Sequence, residues 1–210
     1  MTRLAQLAPA FPAVGMLVLA LCLPDAWHAW AEYDRAALIR GEWWRLWTGH
    51  WVHADTAHAV GGASAWLGLA LVSCSPGRVT AALTLVIAPL LGAVLFWLPD
   101  VLPAGLGAPI AEQYRGTSGL LFVWSAYLLC APYAAKMPLA LRWRITLAGL
   151  LAAKLAWDFR NWLALRPGEG FAVAGEVHLL GAMLGALWAL SATATSVQEK
   201  IAEGGAYNRG

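Results

Sequence analysis

The chain has 210 residues, of which 60% are hydrophobic and only 12% are charged, and its formal net charge is +2. In soluble domains roughly a quarter of the residues are charged, so this composition argues against a soluble protein and indicates a lipid environment. The sequence contains no block of basic residues, so nucleic acid is not an expected partner.

Six apolar runs follow one another along the chain. A bilayer-spanning helix needs about 20 mostly apolar residues, because about 30 Å of hydrocarbon is crossed at about 1.5 Å per residue. The runs cover residues 4–23, 57–74, 79–98, 116–135, 139–157 and 171–194. We therefore predict an all-α membrane protein, a bundle of six transmembrane helices over residues 1–195, followed by a polar C-terminal tail over residues 196–210.

The first run has a second interpretation, as a secretory signal peptide. Arg3 precedes it, and the Ala-Trp-Ala sequence at residues 29–31 imitates a cleavage site. We favour a retained span, because five further apolar runs follow and build one bundle with it.

The segments that join the runs alternate between long and short, so the long segments share one face of the membrane. The positive-inside rule does not orient the protein, since seven lysine and arginine residues fall on each side. Lys136, Arg142 and Arg144 crowd one short connection, and this cluster favours a cytoplasmic location for the short segments.

The first long segment, residues 25–56, contains the stretch "GEWWRLWTGHWVH" at residues 41–53. Four tryptophans lie there among charged and imidazole side chains. Tryptophan prefers the headgroup level, where its ring is apolar and its N–H finds a partner. We predict that this segment lies in the outer interface, while a loop packed on the bundle fits the composition equally well.

Three polar groups fall inside predicted spans that enter from the long-segment face: His58, Ser118 and His178. Polar groups in a bilayer are costly and often functional, and these three are expected in one leaflet. A serine needs a base to take its proton, and histidine is the usual one. At a helix N-terminus, the serine also offers unpaired backbone N–H groups to an oxyanion. Gly116 and Gly119 leave room for a substrate backbone, and His58 adds a donor.

Each of these residues also has a structural interpretation. Ser118 alone is most simply a helix cap. His178 alone fits a proton relay or ligand and a satisfied structural polar group equally well. His50, His53 and His58 suggest a metal site, but the run lacks an HExxH pattern and a carboxylate ligand, so we expect no metal and no cofactor. Three widely spaced cysteines are interpreted as apolar filler, namely Cys22, Cys74 and Cys130. The joint pattern favours catalysis.

The chain resembles the rhomboid intramembrane serine proteases, a six-span helical family with a Ser-His dyad. The resemblance rests on "EWWRLWTGHWVH", "GTSG" and "HLLGAMLG", which occur in the family's order. It implies that Ser118 is the nucleophile, that His178 is the general base without a third acid, and that His58 is the oxyanion histidine. The family's asparagine four residues after that histidine is replaced here by Gly62.

The resemblance extends to supporting residues. Phe122, one turn after Ser118, matches an aromatic residue that packs against the base. Gly181 and Gly185 share one face of the last span and imply close packing of that helix on the fourth. Among rhomboids, "YRGTSG" and "KLAWD" resemble the bacterial rhombosortase subgroup, which is associated with proteins that carry a C-terminal Gly-Gly motif before an anchor helix.

Three charged residues near the predicted site have open interpretations. Lys154 and Asp158 are one turn apart. Either they form an ion pair, or Lys154 snorkels to the membrane interface without substrate contact. Arg115 meets either a substrate carbonyl or a lipid phosphate.

The expected function is therefore cleavage of membrane-anchored proteins at a Gly-Gly segment beside their anchor, in a bacterial inner membrane with the site toward the periplasm. The partners are protein substrates and the lipid bilayer, with no prediction of oligomeric state. One alternative is a catalytically inactive rhomboid-like protein that binds client helices. A small transporter is a third hypothesis, which predicts a polar path across the whole membrane.

Overall fold

A computed structural model of the chain describes residues 7–73, 75–101, 112–131, 141–164 and 175–207. The described part is predominantly helical. Its elements in chain order are α1 Ala10–Cys22, α2 Asp25–Ala31, β1 Tyr33–Asp34, α3 Arg35–Ile39, α4 Arg45–Thr48, α5 Thr56–Leu71, α6 Pro76–Ala82, a π-helical turn Leu83–Ile87, α7 Ala88–Val101, β2 Gln113–Tyr114, α8 Ser118–Cys130, α9 Leu141–Ala164 and α10 Gly175–Tyr207.

A helix lies at each of the six predicted runs, but the helices differ in their capacity to cross a bilayer. Within the described ranges, two are long and apolar enough by length and composition, Pro76–Asp100 and Gly175–Ala192. α1 and α8 are apolar but have only 13 residues each. The helical architecture is thus established, whereas the count of six crossings is not.

Two helices extend beyond the predicted ends of their spans. α9 continues past residue 157 to Ala164, and α10 continues into the predicted polar tail as far as Tyr207. The first extension matters for the site, because it places Asp158 on a helix instead of in a connecting segment. Cys74, the short connection 136–138 with Lys136, and the adjoining part of the last long segment, 165–174, lie outside the described residues.

The core is built around α8, which is buried along most of its length. Trp124 of α8 meets Trp66 of α5 edge to face, with ring centroids 5.1 Å apart. Its indole N–H donates to Ser73 Oγ at 2.8 Å, which satisfies a polar group inside the core. α8 also packs against α10 along its length, so the residues that begin these two helices lie close to one another.

The segment 25–56 folds around a buried arginine. Arg45 donates from Nη1 to the carbonyls of Ala29 and Glu32 at 2.8 and 2.9 Å, and its Nε donates to Glu42 at 2.8 Å. Several tryptophans of this segment remain exposed, namely Trp27, Trp30, Trp43, Trp44 and Trp47, whereas Trp51 is buried. The segment is therefore packed on the helices from one side and apolar on its outer side.

Candidate active site

The turn that leads into α8 presents Ser118 as the first residue of the helix. Gly116 has φ of +125°, a left-handed conformation that favours glycine. Its N–H donates to the carbonyl of Gly49 at 2.9 Å, which joins this turn to the segment 25–56. Ser118 is half-buried, and its own N–H has no partner within the helix because it lies in the first turn.

The Tyr114 hydroxyl is hydrogen-bonded to the backbone of this turn at two positions. Its hydroxyl donates to the carbonyl of Gly116, accepts from the N–H of Gly119 at 3.2 Å, and lies 3.5 Å from Ser118 Oγ. Burial raises the pKa of Tyr114 to about 12, so the phenol stays neutral. The sequence alone predicts no role for this tyrosine, since no local rule ties a phenol to a turn that follows it.

His178 lies in the first turns of α10 and is held face to face by Phe122 of α8. The two ring centroids are 4.4 Å apart, with 14° between the planes. The backbones approach closely beside them, since a methyl group on Gly181 would collide with the carbonyl of Gly119. The contacts expected for Phe122 and Gly181 are therefore present.

The two predicted catalytic side chains, both among the described residues, are not hydrogen-bonded to each other. Among the described residues, Ser118 Oγ has Tyr114 Oη within reach and has no hydrogen bond to His178. The structure brings their helices together and places the Phe122 ring, one turn after Ser118, on the imidazole. In substrate-free enzymes, catalytic hydrogen bonds are often long and shorten when substrate binds.

A carboxylate contacts the other side of the imidazole. Asp158 Oδ2 lies 2.7 Å from His178 Nδ1, and its Oδ1 pairs with Lys154 Nζ. The ion pair considered from the spacing of Lys154 and Asp158 thus forms. The resemblance implied a base without a third acid, whereas the structure adds this acid to the histidine.

The comparison with protein families gives one match that spans these residues. A family model described as Rhomboid domain matches residues 40–194, which is more than half of the chain. The chain belongs to the rhomboid family. Rhomboids are in general intramembrane serine proteases that act on membrane proteins within the bilayer, so this is a membrane protein. No curated protein matches the chain.

His58 of this rhomboid lies beside the turn 114–117 that leads into α8, which we call the nucleophile turn because Ser118 is the predicted nucleophile. A methyl group on Gly116 would sit 2.9 Å from His58 Cε1, so the imidazole covers the backbone that precedes Ser118. Asp55 caps α5 by accepting from the N–H of His58 at 2.7 Å. The half-buried ring is therefore fixed next to the turn where an oxyanion donor is expected.

Gly62, the departure from the rhomboid pattern, faces a hydrogen-bonded pair. A methyl group there would lie 2.8 Å from Thr117 Oγ1 and 3.1 Å from His53 Nε2. These two atoms are themselves 3.3 Å apart, and Thr117 Oγ1 also donates to Met16 Sδ. The first atoms of an asparagine side chain at this position would meet these groups.

Three further histidines are buried in the segment 25–56 of the rhomboid, namely His28, His50 and His53. Burial lowers the pKa of His50 and that of His53 to about 4, so both imidazoles are neutral. Within the ranges that the structure describes, no group of three or more His, Cys, Asp or Glu side chains has the arrangement of a metal site.

Arg115 is directed to the protein's own segment 25–56. Its Nε pairs with the carboxylate of Glu32, which is buried. Neither sequence interpretation, a substrate carbonyl or a lipid phosphate, included this partner. The pair fixes the residue that precedes Gly116 and thereby supports the nucleophile turn.

Proposed function

We propose that this rhomboid is an active endopeptidase in which His178 deprotonates Ser118 for attack on a peptide bond. The observation that carries the proposal is the contact between α8 and α10, where Ser118 begins one helix and the His178 ring stacks on Phe122 one turn farther along it. A nucleophile and a base on adjacent helices are what acyl transfer requires.

The reaction proceeds through an acyl-enzyme. Ser118 Oγ forms a bond to the scissile carbonyl carbon while its proton moves to His178. The tetrahedral intermediate collapses as the C–N bond breaks, and His178 gives the proton to the leaving amine. Water then attacks the ester, again with His178 as the base, and releases the carboxylate product and free Ser118.

The negative oxygen of the intermediate needs donors close to Ser118. The N–H of Ser118 is free of helical partners, and the His58 ring lies over the same turn. The N–H of Gly119 is already engaged by Tyr114 Oη at 3.2 Å. We therefore assign the oxyanion hole to the Ser118 amide and the His58 side chain.

The proposed substrates are membrane-anchored proteins with a Gly-Gly segment beside a C-terminal anchor helix. The likeness of "YRGTSG" and "KLAWD" to the rhombosortase subgroup supports this choice. Helical carbonyls are hydrogen-bonded and resist attack, whereas glycine favours local unwinding. The proposed setting is a bacterial inner membrane, with six spans and the site toward the periplasm.

Reaction with a fluorophosphonate, which labels activated serines, tests the enzyme. We expect labelling of the purified wild type in detergent and none of Ser118→Ala or His178→Ala, while Ser64→Ala, an exposed serine of α5, labels normally. In liposomes, a synthetic transmembrane peptide with a Gly-Gly segment should be cut by the wild type alone. Labelling or cleavage that survives Ser118→Ala contradicts the mechanism.

The second candidate is a rhomboid-like protein that binds client helices without cutting them. Two observations favour it, the absence of a hydrogen bond from Ser118 Oγ to His178 among the described residues and the glycine at position 62. In that case the wild type binds the transmembrane peptide, remains unlabelled and leaves the peptide intact.

A further inference from the structure

The carboxylate of Asp158 bridges two helices through two different partners. One oxygen lies 2.7 Å from His178 Nδ1 on α10, and the other pairs with Lys154 on α9 itself. Asp158 is 1% exposed and His178 is 3% exposed, so water does not compete for this contact. Lys154 is 48% exposed and extends toward the surface.

The helix geometry explains how the contact arises. Lys154 and Asp158 are four residues apart on α9 and therefore lie on one face of it. That face meets the first turns of α10, where His178 lies. A buried carboxylate is costly unless it is paired and hydrogen-bonded, and here each oxygen has its own partner.

We infer that Asp158 is a positioning residue for the base. In the resulting series, Lys154 pairs with Asp158, Asp158 contacts His178, and His178 takes the proton of Ser118. This inference rests on the proposed function. With Asp158 accepting from Nδ1–H, His178 has its lone pair on Nε2, the nitrogen left for the Ser118 proton. The proton moves from Ser118 Oγ to Nε2 and then to the leaving amine, and Asp158 stays ionised throughout.

The neighbours of the imidazole come from three other helices. Among the described residues, the ionisable groups near it are Asp158 with Lys154 from α9, and His58 from α5. α8 contributes the uncharged ring of Phe122. Glu176 precedes His178 on its own helix by two residues, so its side chain leaves α10 in another direction, within electrostatic range of Tyr33. Asp158 is thus the anion in direct contact with the imidazole.

The test compares Asp158→Asn with Lys154→Met by the rate of fluorophosphonate labelling. For Asp158→Asn, we expect a rate about 10²- to 10⁴-fold lower, because the tautomer is no longer fixed. Cleavage of the Gly-Gly peptide should show the loss in kcat with KM little changed.

Lys154→Met should have a much smaller effect than Asp158→Asn. The carboxylate remains on His178, and the rate should stay within about tenfold of the wild type because the ion pair is half-exposed. Arg160→Gln, an exposed arginine on the same helix, is the control and should leave the rate unchanged.

The outcomes separate this inference from the proposed function. If Ser118→Ala abolishes labelling while Asp158→Asn keeps the wild-type labelling rate and kcat, the positioning role is overturned and the protease mechanism stands. If Ser118→Ala still labels, the proposed function itself fails. Should Asp158→Asn elute as an aggregate in size-exclusion chromatography, Asp158→Ser, which also removes the carboxylate, decides, and a wild-type kcat overturns the inference.

Discussion

Position 62 carries a glycine where the rhomboid pattern has an asparagine, and this difference affects the packing around it. The absent side chain leaves room for Thr117 and His53, which are hydrogen-bonded at 3.3 Å. Thr117 directly precedes Ser118, and His53 stands edge to face with His58, with centroids 5.1 Å apart. The glycine therefore belongs to the packing around both the nucleophile turn and His58, the predicted oxyanion histidine.

Substitution of Gly62 should consequently reduce function even when it restores the family's residue. We expect Gly62→Ala to lower stability by about 1–3 kcal/mol, because its methyl group would overpack against Thr117 and His53. Gly62→Asn should label with fluorophosphonate no faster than Gly62→Ala. Thermal unfolding in detergent and labelling rates measure the two effects.

The neighbouring glycine provides the matched control for this prediction. A methyl group on Gly61 meets nothing within 4 Å, so Gly61→Ala should be neutral or more stable by up to about 1 kcal/mol from helix propensity. A gain of labelling rate in Gly62→Asn would contradict the prediction that a larger side chain overpacks against Thr117 and His53.

The nucleophile turn illustrates which parts of the site a sequence can predict. The GTSG motif located Ser118, and the motif order pointed to His178 and His58, because those chemistries have recognisable residue types at recognisable places. Tyr114 and Asp158 received no catalytic role, since their contacts depend on how α8, α9 and α10 come together. Contacts between residues 20 positions apart on different helices have no signature in local spacing.

At the scale of elements, the contact between α8 and α10 positions the two proposed catalytic residues. Methyl groups on Gly181 and Gly185 would collide with the carbonyls of Gly119 and Val123 respectively. In a membrane, helices associate through such close packing, since lipid provides no hydrophobic driving force between them. The relative position of Ser118 and His178 therefore depends on two small residues one turn apart.

Gly185→Ala tests this contact at a distance from the chemistry. Two turns beyond His178, its methyl group would force α10 away from α8, and we expect a loss of about 1–3 kcal/mol together with slower fluorophosphonate labelling. Gly149→Ala on α9, where a methyl group meets nothing within 4 Å, is the matched substitution and should be neutral or stabilising. Equal unfolding midpoints for the two variants would refute the close-packing role.

The ends of elements were the least predictable feature at this scale. The predicted fifth span ends at residue 157, directly before Asp158, yet α9 continues to Ala164. The polar residue does not end the helix, since its carboxylate finds partners on α9 and α10. Hydropathy registers the charge but not the partners that satisfy it.

At the scale of the whole molecule, the segment 25–56 holds the nucleophile turn from outside the helical bundle. β1 pairs antiparallel with β2 in the register Tyr33 to Tyr114. The N–H of Gly116 donates to Gly49, and Arg115 pairs with Glu32. The buried Arg45 orders this segment by donating to the Glu32 carbonyl at 2.9 Å. A tryptophan-rich stretch that contains the buried Arg45 thus supports a serine more than 70 residues after that arginine.

Removal of the ion pair between Glu32 and Arg115 should therefore weaken both stability and reactivity. We expect Glu32→Gln and Arg115→Gln each to cost about 1–3 kcal/mol, because a largely buried partner is left without its counter-charge. The double variant should cost less than the sum by about 1 kcal/mol or more, since both substitutions remove the same contact. Thermal unfolding in detergent gives the three values, and the labelling rate of Ser118 should fall in parallel. Arg40→Gln, which removes the exposed pair with Glu42, is the control and should change neither quantity. Additive losses from the two single variants would show that this pair does not couple the segment to the turn.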